Sequence, residues 1–269
     1  MKLSACIEML FCEAPFSQRA LLARQAGLDA FEFWGFADKD PDLLQQMRLE
    51  SGLPIAAFCV GTRDAHKQAA YAQGQMLNPG NRALFVELVA ESLQLAQRLG
   101  AARLITVPGA ALPDTPRYAQ HDAIIRALAE AAPLCERAGV PLVIEPLNPI
   151  NHPGMYLVQS DEAFEIAQQV GSSAVKVLFD VYHQQISEGN LTERIRGGLA
   201  HIGHFHVADV PGRGQPGTGE LAWPHLLTAI EQSGYDGYIG LEYQPTCDTR
   251  RSLEHVCAAA QAARKGAMG

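Results

Sequence analysis

The chain has 269 residues, a formal net charge of -8 and six cysteines, none spaced as C-x-x-C. The acidic balance argues against a broad basic surface for nucleic acid. Because no apolar stretch reaches the roughly 18 residues of a membrane span, we expect no membrane partner. No secretion signal is evident, so we expect a cytoplasmic protein with reduced thiols.

Apolar strand patterns alternate with helix patterns along the whole chain, which is typical of a parallel sheet covered by helices. The predicted strands span residues 3–7, 30–34, 54–60, 102–107, 141–146, 175–180, 201–207 and 238–243. The predicted helices span residues 16–26, 42–51, 82–99, 118–138, 160–170, 191–199, 221–232 and 249–263. Eight such units predict an α/β protein formed by a single (β/α)8 barrel domain, a fold of about 250 residues.

Four predicted strands in succession end in residues that bind hard cations. Glu145, Asp180, His206 and Glu242 each come at or near the end of an apolar run. The carboxyl ends of barrel strands form the mouth of the active site, so we expect the four side chains to meet there. Three carboxylates and one imidazole favour Mg²⁺, Mn²⁺, Co²⁺ or Fe²⁺ over a cysteine-rich zinc site.

Two further side chains near this set are candidate substrate ligands. We place His183 in the loop after the sixth strand, within reach of a substrate oxygen. Arg213 lies in the glycine-rich loop 211–219 and suits a bidentate bond to a carboxylate. We expect only one of His204 and His206 to face the barrel interior. Proximity to the strand end favours His206, so His204 is expected to pack toward the helices.

The walls of the predicted mouth come from the first three strands. Trp34 is a candidate wall of the pocket, and Glu8 and Glu32 are candidate groups behind the ligands or structural rim pairs. Residues 61–81, which contain His66, form the least regular stretch of the chain. We interpret them as a long loop that folds over the mouth, because loops of this length are usually functional or mobile.

Several segments together resemble the hydroxypyruvate isomerase family, within the xylose-isomerase-like TIM barrel superfamily of sugar isomerases and epimerases. They are SACIEMLF, FEFW, VIEPLN, KVLFDVYHQQISEGN, IGHFHVADVPGRGQPGTGE and GYDGYIGLEY. The resemblance implies a divalent cation held by Glu145, Asp180, His206 and Glu242. It also implies that Glu145 and Glu242 are the catalytic acid and base. Some isomerases of the family carry Gln at the third ligand position, so His206 is closer to the epimerase pattern.

The implied reaction is the interconversion of hydroxypyruvate and tartronate semialdehyde, by glutamate-mediated proton transfer through an enediolate. A 2-oxo-tetronate isomerase or a 3-epimerase of a free ketose is the alternative, with Trp34, His66 and the 61–81 loop setting the pocket wall. A remote alternative is an abasic-site endonuclease, against which the charge of -8 argues. The expected partner is a small hydroxy-keto acid or sugar. The exposed faces of the barrel helices are also compatible with a homo-oligomer.

Overall fold

The computed structural model describes residues 1–267, in which eight parallel strands form a barrel. The strands are β1 Lys2–Cys6, β2 Ala30–Glu32, β3 Phe58–Cys59, β4 Leu104–Thr106, β5 Leu142–Ile144, β6 Val175–Asp180, β7 Ile202–Val207 and β8 Tyr238–Leu241. Their order is β2-β1-β8-β7-β6-β5-β4-β3. A parallel bridge between Phe31 and Ile55 closes the remaining gap. The predicted (β/α)8 barrel is therefore confirmed.

Helices follow the strands and surround the barrel. They are α1 Phe16–Gln25, α2 Pro41–Ser51, α3 Ala65–Tyr71, α4 Arg82–Leu99, α5 Arg117–Ala138, α6 Ser160–Val170, α7 Val181–Ser187, α8 Leu191–Gly198, α9 Trp223–Gln232 and α10 Thr249–Ala267. Gly52, Gly100 and Gly139 adopt left-handed conformations where α2, α4 and α5 end, as glycine readily does. None of the described helices combines the length and apolarity needed to cross a bilayer.

Residues 61–81 are more regular than the sequence indicated. They contain α3 and two short 3-10 helices, Gln75–Leu77 and Pro79–Asn81. The Asp64 side chain caps α3 by accepting from two backbone N–H groups. Lys67 bonds to Glu91 of α4 at 2.6 Å, so this segment packs beside α4. The expectation of an irregular loop was wrong, because the Asp64 side chain caps a helix that begins inside the segment.

The barrel interior shows why particular side chains reach the mouth. A small buried cluster fills the interior between four neighbouring segments, from just before β3 to β6. Its members are Ala57, Ile105, Val143 and Leu178. Side chains two positions apart on a strand point the same way. Glu145 therefore shares a face with Val143, and Asp180 shares one with Leu178, which directs both carboxylates inward.

Candidate active site

The structure brings the four strand-end residues together at the mouth of the barrel. Asp180 ends β6 and is aligned with His206 of β7. Glu145 and Glu242 directly follow β5 and β8, and their backbone N–H groups still bond to the neighbouring strands. One ligand atom from each of the four lies within 4.8 Å of the others. Strand register thus creates a buried cluster from residues that are far apart in sequence.

The cluster is held together by opposite charges. His206 Nδ1 lies 3.1 Å from Glu242 Oε2 and 3.8 Å from Glu145 Oε1. Arg213 lies 3.2 Å from Asp180 Oδ2 through Nη2, and the same nitrogen contacts the carboxylate of Glu242. Burial alone would lower the pKa of His206, but Glu242 and Glu32 outweigh burial and raise it well above its usual range.

The two glutamates occupy different electrostatic environments. Burial raises the pKa of Glu145 to about 8, and the negative charge of Glu242 adds to the effect while His206 opposes it. Burial also opposes ionisation of Glu242, but His206 and Arg213 outweigh it and lower its pKa. Without a bound ion, the site therefore contains one carboxyl that holds its proton at neutral pH and one that is ionised. An ion held by both carboxylates would displace that proton, so the difference belongs to the metal-free site.

These residues fit a divalent cation. In the described chain, neither ring nitrogen of His206 has an aligned hydrogen-bond partner although the side chain is buried. Among the described residues, Glu145 has one cationic side chain within 4 Å, His206 at 3.8 Å. Buried charges need a partner or a metal ion. Oxygen and imidazole donors match Mg²⁺, Mn²⁺ and Co²⁺.

A cavity of about 310 Å³ opens above the cluster. Its lining comprises Trp34, Cys59, Ile105, Glu145, Leu147, His152, His183, His206, Arg213 and Glu242. Trp34 is 44% exposed, and its indole N–H donates to Glu242 Oε1 at 2.6 Å. The predicted wall residue Trp34 therefore also contacts one of the glutamates directly.

His183 lies at the cavity, but in a helix and not in the predicted loop. Asp180 is the N-cap of α7 and accepts from the backbone N–H of Tyr182 at 2.8 Å, which starts the helix immediately after β6. His183 Nδ1 accepts from both nitrogens of Asn148, and its Nε2 lies 3.5 Å from Asp180 Oδ2. Burial lowers the pKa of His183 to about 4, so the ring is neutral.

Arg213 and His66 lie in different surroundings. Arg213 has a positive φ of 57° and stacks its guanidinium 5.3 Å from the centre of the Tyr182 ring. Its side chain points at the carboxylate cluster. His66 is exposed near the start of α3, and the cavity lining contains no described residue from 61–81. The structure thus brings Arg213, but not His66, to the cluster.

The orientation predicted for His204 was wrong. His204 and His206 are two residues apart on β7 and therefore point to the same face, with ring centres 5.0 Å apart. Both contact Glu32 of β2, His204 Nε2 at 3.1 Å and His206 Nε2 at 2.8 Å. Burial would raise the pKa of Glu32, but the two histidines lower it to about 2. A glutamate inside the apolar run AFEFW was the signal for this buried group.

The fold and site define a (β/α)8 barrel with an acidic, histidine-containing pocket at its mouth. A family model described as xylose isomerase-like TIM barrel matches residues 20–259. The chain belongs to this family.

Named relatives and a solved structure match nearly the whole chain. A protein of Cupriavidus necator named 2-oxo-tetronate isomerase is 33% identical, over 94% of this chain and 96% of that one. The hydroxypyruvate isomerase of Escherichia coli is 31% identical, over 94% and 97%. A crystal structure from Brucella melitensis, titled AP endonuclease, family 2, has a TM-score of 0.88 and 30% identity, with 96% and 98% of the chains covered. Both sequence relatives are named as isomerases.

Proposed function

We propose that this chain is a divalent-metal-dependent isomerase that interconverts hydroxypyruvate and tartronate semialdehyde, or the corresponding forms of a similarly small hydroxy-keto acid. The observation that carries the proposal is the pair Glu145 and Glu242, both within 4 Å of the same nitrogen of His206 on the cavity floor. The names of the two isomerase relatives support the substrate class.

Glu145, Asp180, His206 and Glu242 would hold the ion. When bound, Mg²⁺, Mn²⁺ or Co²⁺ would polarise the substrate carbonyl and so acidify the neighbouring C–H group. One of the two glutamates then removes a proton from the hydroxymethyl carbon. The other returns a proton to the adjacent carbon, and the hydroxyl proton passes between the two oxygens. The product is an isomer with no net gain or loss of atoms.

The remaining cavity residues would bind and orient the substrate. His183 presents a neutral ring whose Nε2 has no aligned hydrogen-bond partner among the described residues. Arg213 contacts the carboxylates of Asp180 and Glu242 and would bind a substrate carboxylate. Trp34, Ile105 and Leu147 supply apolar walls. A cavity near 310 Å³ is at the small end of ligand sites, which favours a substrate of few carbons.

The second candidate is a 2-oxo-tetronate isomerase, which the name of the Cupriavidus necator relative favours. It would use the same proton transfer on a substrate one carbon longer. A 3-epimerase of a free ketose would invert a centre with the same two glutamates. An abasic-site endonuclease is disfavoured by the charge of -8, because such an enzyme requires a basic rim for DNA.

Deuterium incorporation tests these candidates together. Metal-stripped protein is incubated in D₂O with hydroxypyruvate, a 2-oxo-tetronate or a free ketose, with and without Mn²⁺, and followed by proton NMR. We expect metal-dependent exchange at the hydroxymethyl carbon of hydroxypyruvate together with tartronate semialdehyde formation. Exchange only at C3 of the ketose would establish the epimerase instead. If no substrate exchanges while Mn²⁺ binds, the assignment of an isomerase is wrong.

A further inference from the structure

Beneath the cluster of Glu145, Asp180, His206 and Glu242, a line of buried and half-buried polar side chains runs down the barrel axis toward its opposite end. Glu32 contacts His206 through Oε1 and His204 through Oε2. His204 Nδ1 lies 3.4 Å from Nη1 of Arg103, which precedes β4 at the base of the barrel. The reaction proposed above uses none of Glu32, His204 and Arg103.

We propose that Glu32 is the positioning residue of the metal-binding histidine and that Arg103, acting through His204, holds Glu32 in place. The proposal rests on the proposed function insofar as His206 binds the ion. It extends that function to three residues that do not touch substrate or metal.

The donor and acceptor roles along this line follow from Arg103, at its lower end. A guanidinium has only donors, so His204 Nδ1 must accept from Arg103 and its proton must lie on Nε2. That N–H donates to Glu32 Oε2 at 3.1 Å. Each member of the line therefore has a fixed role.

The same logic fixes the proton of His206. Its Nε2 lies 2.8 Å from Glu32 Oε1, a charge contact without ideal hydrogen-bond alignment, at a separation at which two facing lone pairs would repel each other. Nε2 therefore keeps a proton, and Nδ1 is the nitrogen that faces Glu145 and Glu242. A metal-binding histidine commonly donates its other N–H group to a carboxylate, which fixes its orientation and its basicity.

The packing around Glu32 restricts the position of its side chain. Glu32 and His204 are both at most 2% exposed. A Cβ added at Gly240 would lie 2.2 Å from Glu32 Oε1 and 2.6 Å from His206 Cδ2, so glycine makes room for this contact. Arg103 and Lys176 both line a cavity at the base of the barrel. Of these two cations, only Arg103 contacts His204 in the described chain, and Lys176 bonds to the carbonyl of Ala200.

The test combines metal affinity with the spectrum of the histidines. We expect Glu32→Gln to weaken Mn²⁺ binding about 10- to 100-fold, the usual effect of removing an outer partner. We expect Arg103→Met to weaken Mn²⁺ binding about 10-fold. Arg103→Lys should weaken it less, because lysine keeps the positive charge. Asp38→Asn, in the loop after β2, and Lys176→Met, at the base, remove equal charges, so they control for long-range electrostatics. Circular dichroism and the unfolding temperature of each variant check its fold.

A second measurement is independent of metal and activity. In ¹⁵N-histidine-labelled, metal-free protein, we expect proton-bonded Nε2 signals from both His204 and His206 and a proton-free Nδ1 signal from His204. Glu32→Gln should shift the His206 Nε2 signal, and Arg103→Met should shift that of His204 Nδ1. A His206 Nε2 without a proton would overturn the proposal, as would unchanged Mn²⁺ affinity in Glu32→Gln. Failure of the isomerase assay alone would leave both results interpretable.

Discussion

Trp34 donates its indole N–H to Glu242 across 2.6 Å and so joins the end of β2 to the end of β8. The contact restrains one of the two candidate catalytic carboxylates. The same side chain is nearly half exposed at the cavity wall. A single residue therefore combines a role in the pocket wall with a role in holding Glu242.

Trp34→Phe should lower activity while leaving stability nearly unchanged. A hydrogen bond to a charged group is worth about 1.5–3 kcal/mol, which corresponds to a loss of roughly 10- to 100-fold in kcat/KM. Trp223→Phe is the matched comparison for stability, because buried Trp223 donates to Asp209 and its loss should lower the unfolding temperature, which Trp34→Phe should not. Steady-state kinetics and thermal unfolding of both variants check this. Unchanged kcat/KM in Trp34→Phe would show that Glu242 does not depend on the indole.

Replacing either glutamate of the candidate acid/base pair should suppress proton transfer. We expect Glu145→Gln and Glu242→Gln each to reduce turnover by about 10² to 10⁴, the usual contribution of a general acid or base. The measurement is deuterium exchange at saturating Mn²⁺, so that weakened metal binding does not account for the loss. Near-normal exchange in one variant would remove that glutamate from the pair.

The sequence was sufficient to predict the barrel and the four clustered residues, because both depend on patterns local to each strand. An apolar run followed by a carboxylate identifies a strand end, and the fold then brings the ends together. Glu145, Asp180 and Glu242 were found in this way. Their roles as ligands and catalysts remain predictions.

Contacts between distant strands could not be obtained in the same way. The pairing of Glu32 with His204 depends on close approach across the barrel interior, for which no local pattern exists. The sequence does not indicate the short helix α7, because its start depends on the Asp180 side chain, which caps the helix as well as facing the cluster. The position of His66, away from the cavity, depends on how α3 packs beside α4.

Metal binding should release protons and should weaken as the pH falls. Burial raises the pKa of Glu145 to about 8, and the pKa of His206 is raised well above its usual value. Both groups therefore carry protons at pH 7 that a metal ion must displace. The affinity should rise with pH through about 8, where Glu145 loses its proton, and should fall at lower pH, since protonated ligands do not bind cations.

Calorimetric titration of Mn²⁺ at pH 7 in buffers of different ionisation enthalpy measures this release. We expect about two protons per ion, one from each group, and about one in Glu145→Gln. The titration of Asp38→Asn, whose exposed carboxylate lies outside the cluster and pairs with Lys39, serves as the control. Release of no protons would show that Glu145 and His206 are already deprotonated in the metal-free protein.

The loop that carries Arg213 depends on one buried carboxylate. Asp209 is fully buried and accepts from the backbone N–H groups of Val210, Gly217 and Leu221, and from the Trp223 indole. It closes the loop 209–221 around its own side chain. The position of Arg213 beside Glu242 follows from this closure.

Asp209→Ala should destabilise the protein and lower activity together. Each buried donor left without an acceptor costs about 1–3 kcal/mol, so we expect a loss of at least ~2 kcal/mol in the free energy of unfolding. Activity should fall even at temperatures where the variant stays folded, because Arg213 loses its fixed position. Urea denaturation and kinetics at about 10–20 °C, the usual range of maximum stability, separate the two effects. A folded Asp209→Ala protein with full kcat/KM would show that substrate binding by Arg213 does not depend on the bonds that Asp209 makes in the loop.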